Sequence, residues 1–197
     1  GIWSGDTGSL SVFYTSSAQV QSDTGKYYIN AYNLDPSSSN AEVQFSLAYA
    51  DYRGYGAPTL AQDPTATSPT LALYKQLRNV LLNPNDRYFS VYSGSTIDGY
   101  NMNSMYVINI NRNRWKERMD PGNISLTLSG SKGFITLIDD SGGAEENVTT
   151  AGRVYNIVSG SLNIGSSLTS SYGPNGGKVE TTTQQGWGLF YPDLGII

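Results

Sequence analysis

The chain has no histidine and no cysteine among its 197 residues. Without imidazole it lacks the side chain most used as a general base near neutral pH and the commonest nitrogen ligand for metals. Without a thiol it can form neither a disulfide framework nor a thiolate metal site, and its redox compartment cannot be read. Serine, cysteine and zinc mechanisms that depend on histidine are thereby excluded. Charge is scarce too: Asp, Glu, Lys and Arg make up 14% of the chain and balance at -4. No strong field draws in phosphate-rich partners, so nucleic acid is not expected as the primary ligand. No apolar run approaches the roughly 20 residues of a membrane-spanning helix, and the start carries no basic-then-apolar signal segment. The chain reads as soluble, with no membrane span. A phosphate loop, a dinucleotide fingerprint and a nucleophile elbow are all missing, so no cofactor is expected.

What is present is 22 glycines and 15 tyrosines, with many Ser, Thr and Asn. This composition fits turn-rich β-structure with hydrogen-bonding surfaces, as in virion, fibre and extracellular proteins, better than a helical enzyme. The length suits one domain, 1–197, with a real core. The start at Gly1 without Met and the apolar end Leu194-Gly195-Ile196-Ile197 give the look of a fragment of a longer chain.

Period-2 alternation marks the first strands. In Lys26 to Leu34, Tyr28, Asn30, Tyr32 and Leu34 share one face and Tyr27, Ile29 and Ala31 the other. Val43, Phe45, Leu47 and Tyr49 alternate with Gln44, Ser46 and Ala48, which predicts a strand with one buried face. The break from Asp35 through Asn40 reads as the hairpin loop between them. Asp51 to Thr67, with Gly54, Gly56, Pro58 and Pro64, reads as an irregular connection into a helix over Pro69 to Leu82. Ser68 suits its N-cap, Pro69 its first turn, and Leu73, Leu77, Val80 and Leu81 its apolar stripe, with Asn83-Pro84-Asn85-Asp86 as the stop. Further strands are expected at Tyr88 to Tyr92, Met105 to Asn111, Ile124 to Leu128, Phe134 to Ile138, Val154 to Val158 and Gly188 to Tyr191. Gly160 to Gly177, rich in Ser and Gly, reads as a surface loop or a segment ordered by assembly. The expected fold class is mainly β, a β-sandwich or mixed sheet with one amphipathic α-helix packed on it.

Three groups of residues bear on chemistry. Asp139 and Asp140 with Glu145 and Glu146 place hard oxygen ligands across a glycine turn, yet they miss the EF-hand spacing, and Ca²⁺ needs 6–8 oxygens. A solvated acidic turn is the preferred reading. The same carboxylates do not supply the two separated groups of a glycosidase. The second group is Asn111 to Arg118, whose Arg112, Arg114, Trp115, Lys116 and Arg118 concentrate cations around an aromatic. Stacking on bases is conceivable there, but one short run in an acidic chain offers few phosphate contacts. Arg and Trp are enriched at interface hot spots, so these five residues are the candidate protein-partner contact. The plain alternative is a solvated edge segment with Trp115 folded inward, and the sequence does not separate the two. The third group is the aromatics Tyr14, Tyr27, Tyr28, Tyr32, Tyr49, Tyr52, Tyr55, Tyr100, Trp115 and Trp187. They are read as core or interface packing in preference to sugar platforms. Asn123-Ile124-Ser125 and Asn147-Val148-Thr149 match the glycosylation sequon, which has meaning only on secretion.

A set of phrases then stands out: Met105-Tyr106-Val107-Ile108-Asn109-Ile110-Asn111-Arg112, Lys116-Glu117-Arg118-Met119-Asp120-Pro121-Gly122-Asn123 and Leu137-Ile138-Asp139-Asp140-Ser141. Tyr155-Asn156-Ile157-Val158-Ser159-Gly160 and Tyr191-Pro192-Asp193-Leu194-Gly195-Ile196-Ile197 follow in order. Together they resemble a family of virion structural proteins of contractile-tailed bacteriophages, particularly those of marine cyanobacteria. The likeness is strongest from about Met105 to the end. It implies a non-catalytic role in the tail or baseplate, or at a neck or capsid position. It also implies many copies packed against other virion proteins, and a place in the phage particle after assembly in the host cytoplasm. It transfers no catalytic residue. The rival expectations are a receptor- or glycan-binding adhesin module and, third, a depolymerase working through Asp139 and Asp140. Physically, Asp120 to Asn123 reads as a turn joining two strands and Tyr155 to Ser159 as an alternating strand.

Overall fold

The computed structural model describes residues 14–15, 28–55, 69–93, 96–131, 133–141, 147–160 and 186–197. In chain order the described elements are β1 (Tyr14–Thr15), β2 (Tyr28–Tyr32), β3 (Val43–Asp51), α1 (Pro69–Leu81), β4 (Phe89–Ser93) and β5 (Thr96–Met102). There follow β6 (Ser104–Ile110), a 3-10 turn (Arg112–Arg114), β7 (Ser125–Gly130), β8 (Gly133–Asp139), β9 (Asn147–Thr149), β10 (Gly152–Ser159) and β11 (Gly188–Phe190). Among the described residues the fold is mainly β with one α-helix, and every strand pair is antiparallel. The described residues cluster into two units. One takes those of Gly1–Val80, Asn103–Glu117 and Ile196, the other those of Leu81–Met102, Arg118–Gly195 and Ile197.

Unit one is built on a sheet in the order β1-β2-β3-β6. The loop from Asp35 turns β2 back into β3, as predicted. The Asp35 carboxylate accepts from the Ser37 amide and hydroxyl, and these bonds hold it below the ordinary carboxylate pKa. Asn33 and Glu42 close the neck with one backbone bond and one from the Glu42 amide to the Asn33 side chain.

The predicted faces of β3 come out differently. Val43, Phe45, Leu47 and Tyr49 are only half-buried, whereas Gln44 and Ala50 on the other face are enclosed, at 2% and 0% exposed. Small Ser46 and Ala48, together with Val107 opposite Ala48, let that second face pack closely, so both faces are partly covered. The Gln44 Oε1 is buried, with no hydrogen-bond partner among the described residues.

The helix forms where its periodicity placed it, but its buried stripe is shifted. Thr70, Tyr74 and Leu81 are enclosed, Leu73 and Leu77 are half-buried, and Val80 lies out at 55% exposed. Tyr74 defines the face: fully buried, it meets Tyr52 edge-on at 5.5 Å, and the Thr70 hydroxyl donates to the Tyr55 carbonyl at 2.9 Å. Ser68, the expected cap, lies outside the described residues, as do most of the expected connection after Tyr55 and of the Ser/Gly-rich segment beyond Gly160.

Unit two carries a sheet in the order β11-β10-β8-β7, with β9 also on β10, and the separate hairpin β4-β5. Its core is Leu137, Tyr155, Ile157 and Phe190, flanked by Met119, Ile124, Leu126, Ile135 and Ile197. Each fully buried aliphatic or aromatic side chain there contributes about 1.5–3 kcal/mol relative to exposure. The expected strands at β4, β7, β8, β10 and β11 are all present within two residues at either end. The Asp120-Pro121-Gly122-Asn123 turn forms too, but it does not join two strands directly. It leads into β7 from the basic segment and its 3-10 turn, with Gly122 at φ 86°.

Candidate functional site

The basic segment leaves β6 at Asn111, whose side chain accepts from the Asn113 amide and starts the 3-10 turn. That single turn sends successive cations in different directions. Arg114 points inward and is 8% exposed. Its guanidinium forms an ion pair with Glu42 and also donates to the Val43 carbonyl. Arg112 stays exposed, lies over the Trp115 ring at 3.9 Å and donates to the Trp115 carbonyl at 2.7 Å. Trp115 is half-buried, with its indole N–H directed at the Ile110 carbonyl at 3.5 Å. Lys116 and Arg118 are exposed, and Arg118 belongs to the second unit.

Of the five residues singled out by composition, Arg114 is therefore spent on holding β3 to the turn. Arg112 and Trp115 form one stacked pair, which pre-orients a cation and an aromatic face at the surface. Such a stacked, planar donor set suits a carboxylate or a carbonyl edge on another protein.

The acidic candidate is placed otherwise than the sequence predicted. Asp139 and Asp140 are not solvated, since both are 0% exposed. Asp139 closes the preceding turn: both its oxygens accept from the Gly122 amide, at 2.9 and 3.0 Å, and one also accepts from the Ser141 amide at 3.2 Å. Asp140 accepts from the Asn156 amide at 2.9 Å and from its carboxamide at 2.7 Å. Burial pushes the Asp140 pKa up; the Asn156 bonds oppose this and the neighbouring Asp139 charge adds to it. Glu145 and Glu146 lie outside the described residues. Among the described residues no three His, Cys, Asp or Glu side chains gather in a way that could hold a metal. A depolymerase carboxylate must reach a sugar, and these two are sealed within the sheet and its turn.

The aromatics divide between core and surface. Tyr52 packs inward on Tyr74, whereas Tyr28, Tyr55 and Trp187 are exposed. Tyr49 meets Tyr106 across β3 and β6 at 5.2 Å, and Tyr106 is 73% exposed. Tyr106, unremarked among the aromatics of interest, is detectable only once the strand register pairs it with Tyr49. Tyr27 and the side chains of Tyr14 and Tyr100 lie outside the description. No helix among the described residues is long and apolar enough to cross a membrane. No protein-family model, no curated protein and no solved structure matches the chain.

Proposed function

We propose that the chain is a structural component of a contractile-tailed phage particle, in the tail or baseplate, acting through protein–protein contacts in a multi-copy assembly. The observation that carries the reading is the use made of Asp139 and Asp140. These are two of the acids in the phrases that resemble the virion family, and both are consumed in fixing backbone, on Gly122, Ser141 and Asn156. Imidazole and thiol are missing from the chain, and these two acids hold shape. The Tyr191 to Ile197 phrase serves shape as well. Tyr191 and Pro192 are buried, the Pro192 carbonyl accepts from the Met119 amide, and Asp193 accepts from the Arg153 amide.

The contact residues are assigned as Arg112, Trp115 and Lys116 in the first unit and, separately, Arg118 in the second, with Arg114 as an internal brace on Glu42 and Val43. The test is charge reversal at two exposed positions, Arg112→Glu with Arg118→Glu. The paired variant is expected to fold with an unchanged melting profile and to enter particles poorly when it competes with the native chain. Equal incorporation would contradict the assignment.

A second reading, a glycan-binding adhesin module, is favoured only by the Tyr49–Tyr106 pair, in which Tyr106 is exposed. Binding of the isolated chain on a glycan array, lost with Tyr106→Ala, would support it.

A further inference from the structure

β7 is the outer strand of the second unit's sheet; among the described residues it pairs with β8 alone. Outer strands of proteins that remain single are usually blunted by charge, by proline or by a bulge. β7 has none of these: Ser125-Leu126-Thr127-Leu128-Ser129-Gly130 holds no charged residue and no proline, and its pairing with β8 runs without a register shift. One face continues the core outward. Leu137 is buried, Leu126 beside it and Ile135 further out are half-covered, and Leu128 opposite Ile135 is 44% exposed. Phe134, on the other face near the hairpin end, is 81% exposed. An apolar stripe thus runs out of the core along an unblunted edge.

We propose that β7 is a self-pairing edge, joining two copies of this chain antiparallel about a two-fold axis at Thr127. The strand's own order selects that partner. With Thr127 facing Thr127 of the second copy, Leu126 faces Leu128, and Ser125 faces Ser129. Because side chains alternate, every leucine falls on the apolar face of the joined sheet and every hydroxyl on the other. A shift by one residue would set leucine against hydroxyl. The pairing also repeats a contact the chain makes within itself, since Thr127 and Thr136 already meet hydroxyl to hydroxyl at 3.1 Å across β7 and β8. With no charge on the strand, nothing repels the second copy. The two-fold axis makes the contact isologous and closed. The inference rests on β7 and not on the phage reading: it concerns the purified chain alone, whereas the arginine variants are read in particles.

The chain has no cysteine, so one introduced cysteine is a unique reporter. Thr127→Cys, Ser125→Cys and Ser129→Cys are each purified and exposed to mild oxidant. Residues directly opposite in an antiparallel pair hold their Cβ atoms about 4.5–5.5 Å apart, close enough for a disulfide after small adjustment. T127C is expected to form a covalent dimer. S125C alone is not, because in this register it lies four residues, roughly 13 Å, from its own copy. S125C mixed with S129C is expected to form the mixed dimer. Adding Leu128→Lys to T127C should lower the dimer yield several-fold, while the monomer keeps its melting profile. The proposal is overturned if T127C dimerises no more than S125C, or if the S125C and S129C mixture gives no mixed dimer. It also fails if T127C refuses a maleimide in the monomer, which would mean that the chain itself already covers this edge.

Discussion

Asp139 and Asp140 are neighbours in sequence, equally buried, and used in different ways. Asp139 organises a turn through the Gly122 amide, whereas Asp140 faces Asn156 with a pKa raised mainly by burial. Its raised folded-state pKa means that the carboxyl holds its proton more readily in the folded chain than in the unfolded one. The resulting stabilisation is fully present below the ordinary value of 3.8 and is lost as pH rises through the folded-state pKa. Asp140→Asn cannot ionise and keeps an acceptor for the Asn156 amide. Its melting temperature relative to the native chain should therefore climb as pH is raised from acid to neutral; a gap independent of pH would contradict this origin. Gly152 shows a second constraint of this kind. It sits at φ 93°, and an added Cβ would lie 2.5 Å from the Asp193 carboxylate oxygen. Gly133, at φ 108°, has open space around it. Gly133→Ala carries only the backbone cost, about 1 kcal/mol, and Gly152→Ala should cost about 1–3 kcal/mol more by denaturant unfolding, because Asp193 and its Arg153 contact must also shift.

The elements show how far hydrophobic pattern reaches. α1 is legible from its period and its Pro69 start, but its buried face is not, because tyrosine has both an apolar ring and a polar hydroxyl and its sequence position does not say which way it turns. Tyr74 is fully enclosed against Tyr52, while Val80, a better hydrophobe, is turned outward. Tyr74→Ala is expected to destabilise by about 3–5 kcal/mol and Val80→Ala by no more than about 0.5, measured by chemical denaturation. The strands were legible wherever valine, isoleucine, leucine or tyrosine alternated with polar residues. β5 escaped because Thr96-Ile97-Asp98-Gly99-Tyr100-Asn101-Met102 carries Asp, Gly and Asn, residues scarce in strands, and is set by pairing with β4. β1 and β9, of two and three residues, are too short to show any period. In β3 the alternation was read correctly, yet the more deeply buried side was the small, polar one. Which face is covered depends on what packs against it, and β3's own residues do not encode that.

For the whole molecule, the β-rich class with one helix followed from composition and spacing. Where the sequence reads as one domain, the described residues cluster into two units. The chain passes from one unit to the other inside α1, between β5 and β6, within the basic segment and on either side of Ile196, and the first three of these places are not Gly- or Pro-rich linkers. The five-residue contact cluster was also only partly legible. Charge density found the segment, but only the 3-10 turn and the Glu42 partner across the strands show that Arg114 is a brace and Arg112 an outward, stacked donor. The central claim is that this chain works by shape and by contact with other proteins of a particle. Residue-resolution imaging of intact particles, from a phage whose genome encodes the chain, tests it most directly. The account predicts many symmetry-related copies in the tail or baseplate, with Arg112 and Trp115 against another protein. A particle without the chain, or one in which that segment faces open solvent in every copy, would contradict it.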